Sequence, residues 1–148
     1  MKFAEFHNGQ TLVRGPVPIT EEDIVAFARA WDPQWFHTDV ERAGKGPWKG
    51  LIASGWQTCG IAMRLAVTGI LDGSESFGSP GLEYLKWLAP VRPGDSLTLH
   101  AEVLDVRRSE RQPTLGILRW RWRVLNQEAV AVLELVATSL FELPVSGE

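Results

Sequence analysis

Ser54-Gly55-Trp56-Gln57-Thr58-Cys59-Gly60-Ile61-Ala62-Met63-Arg64-Leu65-Ala66-Val67-Thr68-Gly69-Ile70-Leu71 lies in the most apolar stretch of the chain, and Gln57, Arg64 and Thr68 form only a narrow polar stripe along it. A helix from about Gly55 to Leu71, capped by Ser54, is therefore apolar around most of its circumference and has to be engulfed by the rest of the fold. Gln57 and Arg64 would be costly in hydrocarbon, so the run reads as a buried helix and no membrane span is expected.

After the breaker Asp72-Gly73-Ser74-Glu75-Ser76 the periodicity changes from helical to about two. Residues 80 to 88 read as a short strand through Leu82, Tyr84 and Lys86. Leu97, Leu99, Ala101 and Val103 alternate with polar residues after the Pro93-Gly94-Asp95 turn. Leu118, Trp120, Trp122 and Val124 alternate with Arg119, Arg121 and Arg123. Ala131, Leu133, Leu135, Ala137 and Phe141 line a further strand, joined to its predecessor by a hairpin across Asn126-Gln127. One wrapped helix followed by long antiparallel strands implies an α+β fold in which a curved sheet closes around that helix.

Upstream, Gly15-Pro16-Val17-Pro18 ends a short strand, and Thr20 with Asp23 three residues on resembles a capping box. Ile24, Phe27, Ala28 and Trp31 then give an inward apolar face to a helix over 21 to 31, which stops at Asp32-Pro33. The segment from Asp32 to Gly50 shows little periodicity, and irregular segments of that length inside a compact domain are usually functional.

The chain has 148 residues, enough for a single domain spanning 1–148 with a core of its own. Apolar residues make up 45% and charged residues 22%, a globular balance, and a net charge of -3 lacks the basic footprint of a nucleic-acid partner. The tryptophans at 120 and 122 among arginines could serve as a base-stacking platform, but strict alternation sends the indoles to the core and the guanidinium groups outward. The N-terminus has no basic region followed by an apolar run, so a cytoplasmic location is expected. Cys59, the single cysteine, reads as a packing residue.

Within the irregular segment stands Trp31-Asp32-Pro33-Gln34-Trp35-Phe36-His37-Thr38-Asp39, followed by Gly50-Leu51-Ile52-Ala53-Ser54-Gly55-Trp56 at the mouth of the buried helix. With Val91-Arg92-Pro93-Gly94-Asp95 before a long strand, these residues resemble the MaoC-like dehydratases of the R-specific enoyl-CoA hydratase type. The motif of that family is D-x-N-P-x-H with a glycine at the start of the central helix. The resemblance spans most of the chain and implies the hot-dog fold, a sheet wrapped around one long helix. It implies a lyase that reversibly hydrates a 2-enoyl-CoA thioester, with Asp32 and His37 as the catalytic pair and Gly55 as the oxyanion donor.

Two positions depart from the family pattern. Gln34 stands where it has Asn, which keeps the amide, and Trp35 stands where it has Pro, which adds bulk between the paired residues. A smaller or differently shaped pocket is therefore expected.

Hydration of a conjugated thioester needs a base for water, an acid for the α-carbon and donors for the charge on the thioester oxygen. A carboxylate and an imidazole supply the first two, and residue types alone leave open which is the base. A glycine amide at a helix N-terminus suits the third. Expected substrate contacts are Trp35, Ser54 and Trp56 beside the pair, with Trp48 nearby; the indoles either wall an acyl pocket or fill the core. Arg107 and Arg108, with Arg111, are candidates for the phosphates of coenzyme A against a solvated turn as the plainer reading, and Lys45 and Lys49 are equally plausible. His7 and His100 are expected to be solvated.

No Cys/His cluster has metal-ligand spacing and there is no GxGxxG or P-loop, so no metal and no cofactor beyond substrate coenzyme A is expected. An open curved sheet leaves an edge to cover, which points to a homodimer or larger homo-oligomer. Two other functions fit the same fold, a hot-dog acyl-CoA thioesterase and a non-catalytic acyl-CoA binding domain. The first is weakened because residues 56 to 71 contain no Asp or Glu.

Overall fold

In the computed structural model, which describes residues 1–145, the central helix is built before its cover. Strand β1 (Thr11–Pro18) leads into α1 (Glu21–Trp31), two short helices α2 (Trp35–Thr38) and α3 (Val40–Gly44), and then α4 (Gly55–Ala66), which runs on as a π-helical turn, Val67–Leu71. Four strands follow: β2 (Ser76–Trp87), β3 (Ser96–Arg108), β4 (Leu115–Leu125) and β5 (Ala131–Glu142). They form one antiparallel sheet in the order β1-β3-β4-β5-β2. This is the hot-dog arrangement.

The alternation in β3 and β4 translates directly into burial. Leu97, Leu99, Ala101, Val103, Leu118, Trp120, Trp122 and Val124 all face inward, where they meet Ala62, Leu65, Ala66 and Ile70 from the central helix. Trp120, fully buried, donates its indole N–H to Ser139 Oγ at 3.1 Å, which satisfies the ring's one polar atom. The arginines between these residues point outward and are spent on cross-strand carboxylates: Arg119 on Glu83, Arg121 on Glu102 and Arg123 on Glu134. A guanidinium so engaged is not presented as a platform for bases. Asp95 closes the turn into β3 by accepting from the Arg92 amide, and Gly94 there adopts φ +88, a left-handed conformation that costs glycine little.

The Thr20 capping box forms as its spacing dictates, with Asp23 N–H donating to Thr20 Oγ1 at 3.1 Å and Thr20 N–H to Asp23 at 3.0 Å. Elsewhere the structure corrects the expectations. Trp31 does not pack inward: it is 77% exposed, and α1 buries only Ile24 and Ala28 fully. The segment 32–50 is not structureless but carries α2 and α3.

The central helix ends at Ala66 and loosens into the π turn, where Thr68 Oγ1 donates to the Arg64 carbonyl. It is engulfed on one side only, since Trp56, Met63 and Val67 are exposed. Strand β2 is longer than the expected 80 to 88 and starts at Ser76, though its residues are largely exposed. The β4–β5 connection spans Asn126 to Val130, with the Asn126 carboxamide oxygen accepting from two backbone amides of the turn.

Candidate active site

Asp32 is the residue at which α1 stops, and its position follows from the proline after it. As C-cap it keeps its own N–H on the Ala28 carbonyl while its side chain turns towards the loop. There it is held at both oxygens. Gln34 donates to Oδ1 at 2.8 Å and Ser54 Oγ donates to Oδ2 at 2.8 Å. The carboxamide of Gln34 thus makes the contact that an extra methylene still allows, and Gln34 leaves α2 without a side-chain cap in doing so.

His37 lies on α2, buried, with Phe36 packed edge-on at 4.3 Å between ring centroids. Its Nδ1 is 2.7 Å from the Ile52 carbonyl oxygen. A carbonyl only accepts, so Nδ1 carries a hydrogen and Nε2 is left to face Asp32 Oδ2, at 3.1 Å. The strand-like segment that presents Ile52 is itself fixed, by Ile52 N–H on Phe36 and Ala53 N–H on Val91. Burial pushes the Asp32 carboxyl up, but the hydrogen bonds from Gln34 and Ser54 and the neighbouring His37 outweigh it and hold the group below the usual carboxylate range. An anionic oxygen facing an imidazole nitrogen is a site for one shared proton.

His37, but not Asp32, borders a pocket of about 280 Å³ whose walls also include Trp48, Gly55, Thr58, Trp87 and Val91. Gly55 opens α4, and Ser54, expected to cap that helix, makes no side-chain cap because its hydroxyl is committed to Asp32. First-turn amides have no acceptor inside a helix, so the Gly55 N–H at the pocket wall remains open to a ligand, with the positive end of the helix dipole behind it. The imidazole that contacts Asp32 and the first turn of α4 therefore face one apolar-walled hollow.

The structure brings Asp32, His37 and Gly55 together and puts Trp48 on the pocket wall, while Trp35, Ser54, Trp56, Arg107 and Arg108 lie elsewhere. Ser54 is fully buried behind Asp32 and does not reach the pocket. Trp35 is not on its wall: the indole packs across Phe36, under the Arg42 guanidinium at 4.4 Å, and against Gly46. Trp56 lines a neighbouring groove instead. Arg107 and Arg108 lie at the far end of β3. The row Leu99, Val124, Leu133, Trp87 abuts the pocket, and eight residues at about 3.3 Å each put Arg107 roughly 26 Å along the strand from it. Arg107 pairs with Asp105, and Arg108 donates to the carbonyls of Pro113 and Pro144. Trp87, which the sequence reading passed over, is a wall of the pocket; its only local signal is an aromatic residue at the end of a strand.

Among the described residues no group of three or more His, Cys, Asp or Glu side chains gathers as a metal would require, and no helix is long and apolar enough to cross a membrane.

The sequence model of the family described as MaoC like domain matches residues 2–119. A Bacillus subtilis protein, YdeM, itself uncharacterized, is 35% identical over 134 residues, covering 90% of this chain and 94% of that one. The 3-hydroxyacyl-thioester dehydratase Z of Mycobacterium tuberculosis is 34% identical over 92 residues, 61% of each chain. The crystal structure of a MaoC-like dehydratase from Rhodospirillum rubrum superposes with a TM-score of 0.86 at 34% identity, covering 96% of this chain and 97% of that one.

Proposed function

This chain belongs to the MaoC-like domain family, and from that premise we propose that it is a hydro-lyase adding water to a 2-enoyl-CoA thioester to give a 3-hydroxyacyl-CoA, and reversing that reaction. The observation that carries the reading is the 3.1 Å contact between Asp32 Oδ2 and His37 Nε2 beside a pocket that also holds the open N-terminus of α4.

In the hydration direction a water at the pair gives one proton to it as its oxygen bonds to the β-carbon. The electron pair of the double bond moves towards the thioester carbonyl, and the Gly55 N–H stabilises the negative charge on that oxygen. The pair then returns one proton to the α-carbon, so it leaves the cycle with the charge it had at the start. Ser54 and Gln34 act as positioning residues, because they hold both carboxylate oxygens without reaching the pocket.

Thioester cleavage has less support, since among the described residues no Asp or Glu lines the pocket and the Asp32 carboxylate is tied to His37. A purely binding role would fit a pocket blocked by Trp35, and that indole lies outside it. Crotonyl-CoA offered to the protein should lose the absorbance of its conjugated thioester without releasing free coenzyme A. Thiol release in place of that loss would mean a thioesterase, and neither change would mean a binding domain.

The same reading includes a homodimer. Among the described residues the outer edge of β2 has no partner strand, and Phe77, Leu82, Trp87 and Leu88 are exposed on and beside it, as are Trp56 and Met63 of α4 and Val67 of the π turn. An unpaired edge of 12 residues with this much apolar surface suits a second copy paired edge to edge. Light scattering at micromolar concentration should give twice the chain mass, and Leu82→Lys should shift it towards the monomer. A wild-type monomer under those conditions overturns the assembly.

A further inference from the structure

A threonine in a helix commonly turns its hydroxyl back onto the carbonyl one turn earlier. Thr38 does so to the Gln34 carbonyl at 3.0 Å, and Thr68 to the Arg64 carbonyl at 2.7 Å. Thr58, on the first turn of α4, does not. The carbonyl it would use, that of Ser54, already accepts from the amides of Gln57 at 3.0 Å and of Thr58 itself at 3.3 Å. A carbonyl oxygen has two lone pairs, and both are taken.

Thr58 is only 2% exposed, and a buried hydroxyl without a partner is costly. Among the described residues its oxygen has no partner, yet it is not sealed off as the partnerless Gln57 Oε1 and Trp122 Nε1 are. The opening it keeps is towards the pocket that Thr58 lines together with His37 and Gly55. Side chains on a helix lean towards its N-terminus, and residues three apart share a face, so the Thr58 hydroxyl leans over Gly55. Branching at Cβ restricts its rotation further. One helix face thus offers the pocket an amide and a hydroxyl, neither claimed by the protein, with the positive end of the dipole behind both.

We propose that Thr58 is a further catalytic residue, whose hydroxyl donates a second hydrogen bond to the thioester oxygen that the Gly55 N–H holds. The proposal rests on the lyase reading above. An oxygen that gains negative charge as water adds can accept from both donors at once, and each bond strengthens as the charge grows. Thr58 keeps its hydrogen throughout, and the protons that move are those of water, Asp32 and His37. The hydroxyl is set in place by Ser54 on both sides: the Ser54 hydroxyl is spent on Asp32, and the Ser54 carbonyl on two amides.

Thr58→Val, which keeps the shape and removes the hydroxyl, should lower kcat for crotonyl-CoA by about 10- to 100-fold, the worth of a hydrogen bond to a charged oxygen. Thr58→Ser should restore most of the rate. The second measurement is the infrared carbonyl stretch of bound butyryl-CoA, isotope-labelled at its thioester carbonyl and, being saturated, not hydrated. Wild type and Thr58→Ser should move the band to lower frequency than in free butyryl-CoA, and Thr58→Val should lose part of that shift. If valine at 58 does not fold, Thr58→Ala is read in the same two ways.

A Thr58→Val enzyme with the wild-type kcat overturns the proposal. So does a slow one whose bound carbonyl keeps the wild-type frequency, since the hydroxyl would then act on the water or on the fold. A wild type that leaves the butyryl-CoA band where it is in free solution overturns it as well. If crotonyl-CoA is not hydrated at all, the lyase reading fails by itself, and the carbonyl frequencies of wild type and Thr58→Val still decide whether the hydroxyl meets the thioester oxygen.

Discussion

Asp32→Asn and His37→Ala are each expected to lower the rate of crotonyl-CoA hydration by about two to four orders of magnitude, the usual worth of a positioned acid or base. Asparagine at 32 keeps the size of the side chain and an oxygen for Gln34, so the loop stays in place while the charge facing His37 Nε2 is lost. The loss should appear in kcat rather than KM, because the carboxylate is not on the pocket wall. Alanine at 37 also strips the Ile52 carbonyl of its donor, a cost of about 1–3 kcal/mol for a buried acceptor. His37→Gln, whose amide can still donate to that carbonyl, separates the two effects. Near-native hydration by either Asp32→Asn or His37→Gln, with an unchanged melting temperature, would remove the pair from the mechanism.

Gly55→Val should cost about two to three orders of magnitude in kcat, comparable to losing one oxyanion donor. The amide survives the substitution, and what changes is access to it. The new side chain would occupy the approach to the N–H and drive into the Trp87 ring, which already lies within contact of the glycine. Gly55→Ala combined with Trp87→Ala distinguishes the causes. A double variant that stays slow places the defect at the thioester oxygen, and one that recovers places it at the displaced indole.

What could be read from the chain was whatever is decided by neighbours in sequence. The Thr20–Asp23 box needs three residues, and the inward faces of β3 and β4 need only alternation, so both appear where expected. Asp32 and His37 are close in sequence, and their contact could be anticipated from the motif they resemble. Trp87 could not, because it reaches Gly55 only through the pairing of β2 with β5. The placement of Arg107 and Arg108 was hidden for the same reason: a basic cluster carries no mark of which end of a strand it will occupy.

Trp31 was misplaced by periodicity, which says which side of a helix a residue lies on but not where the core ends. Ser54 was misassigned by propensity. A serine before a helix is a good cap in isolation, yet a half-buried carboxylate nearby is a stronger claim on its hydroxyl.

The strand order also has a consequence for how the polypeptide emerges from the ribosome. Thr11 pairs with Glu102, and the strands that cover α4 are all synthesised after it. From the completion of α4 until β3 and β4 follow, the chain therefore displays an apolar helix with no sheet to receive it and a first strand with no neighbour. Neither is resolved until β3 and β4 are free to pair. Such long-range closure slows folding and prolongs the exposure of sticky surface. Truncation anywhere before β5 would thus leave not a smaller working domain but a nascent fragment suited to chaperones and proteases.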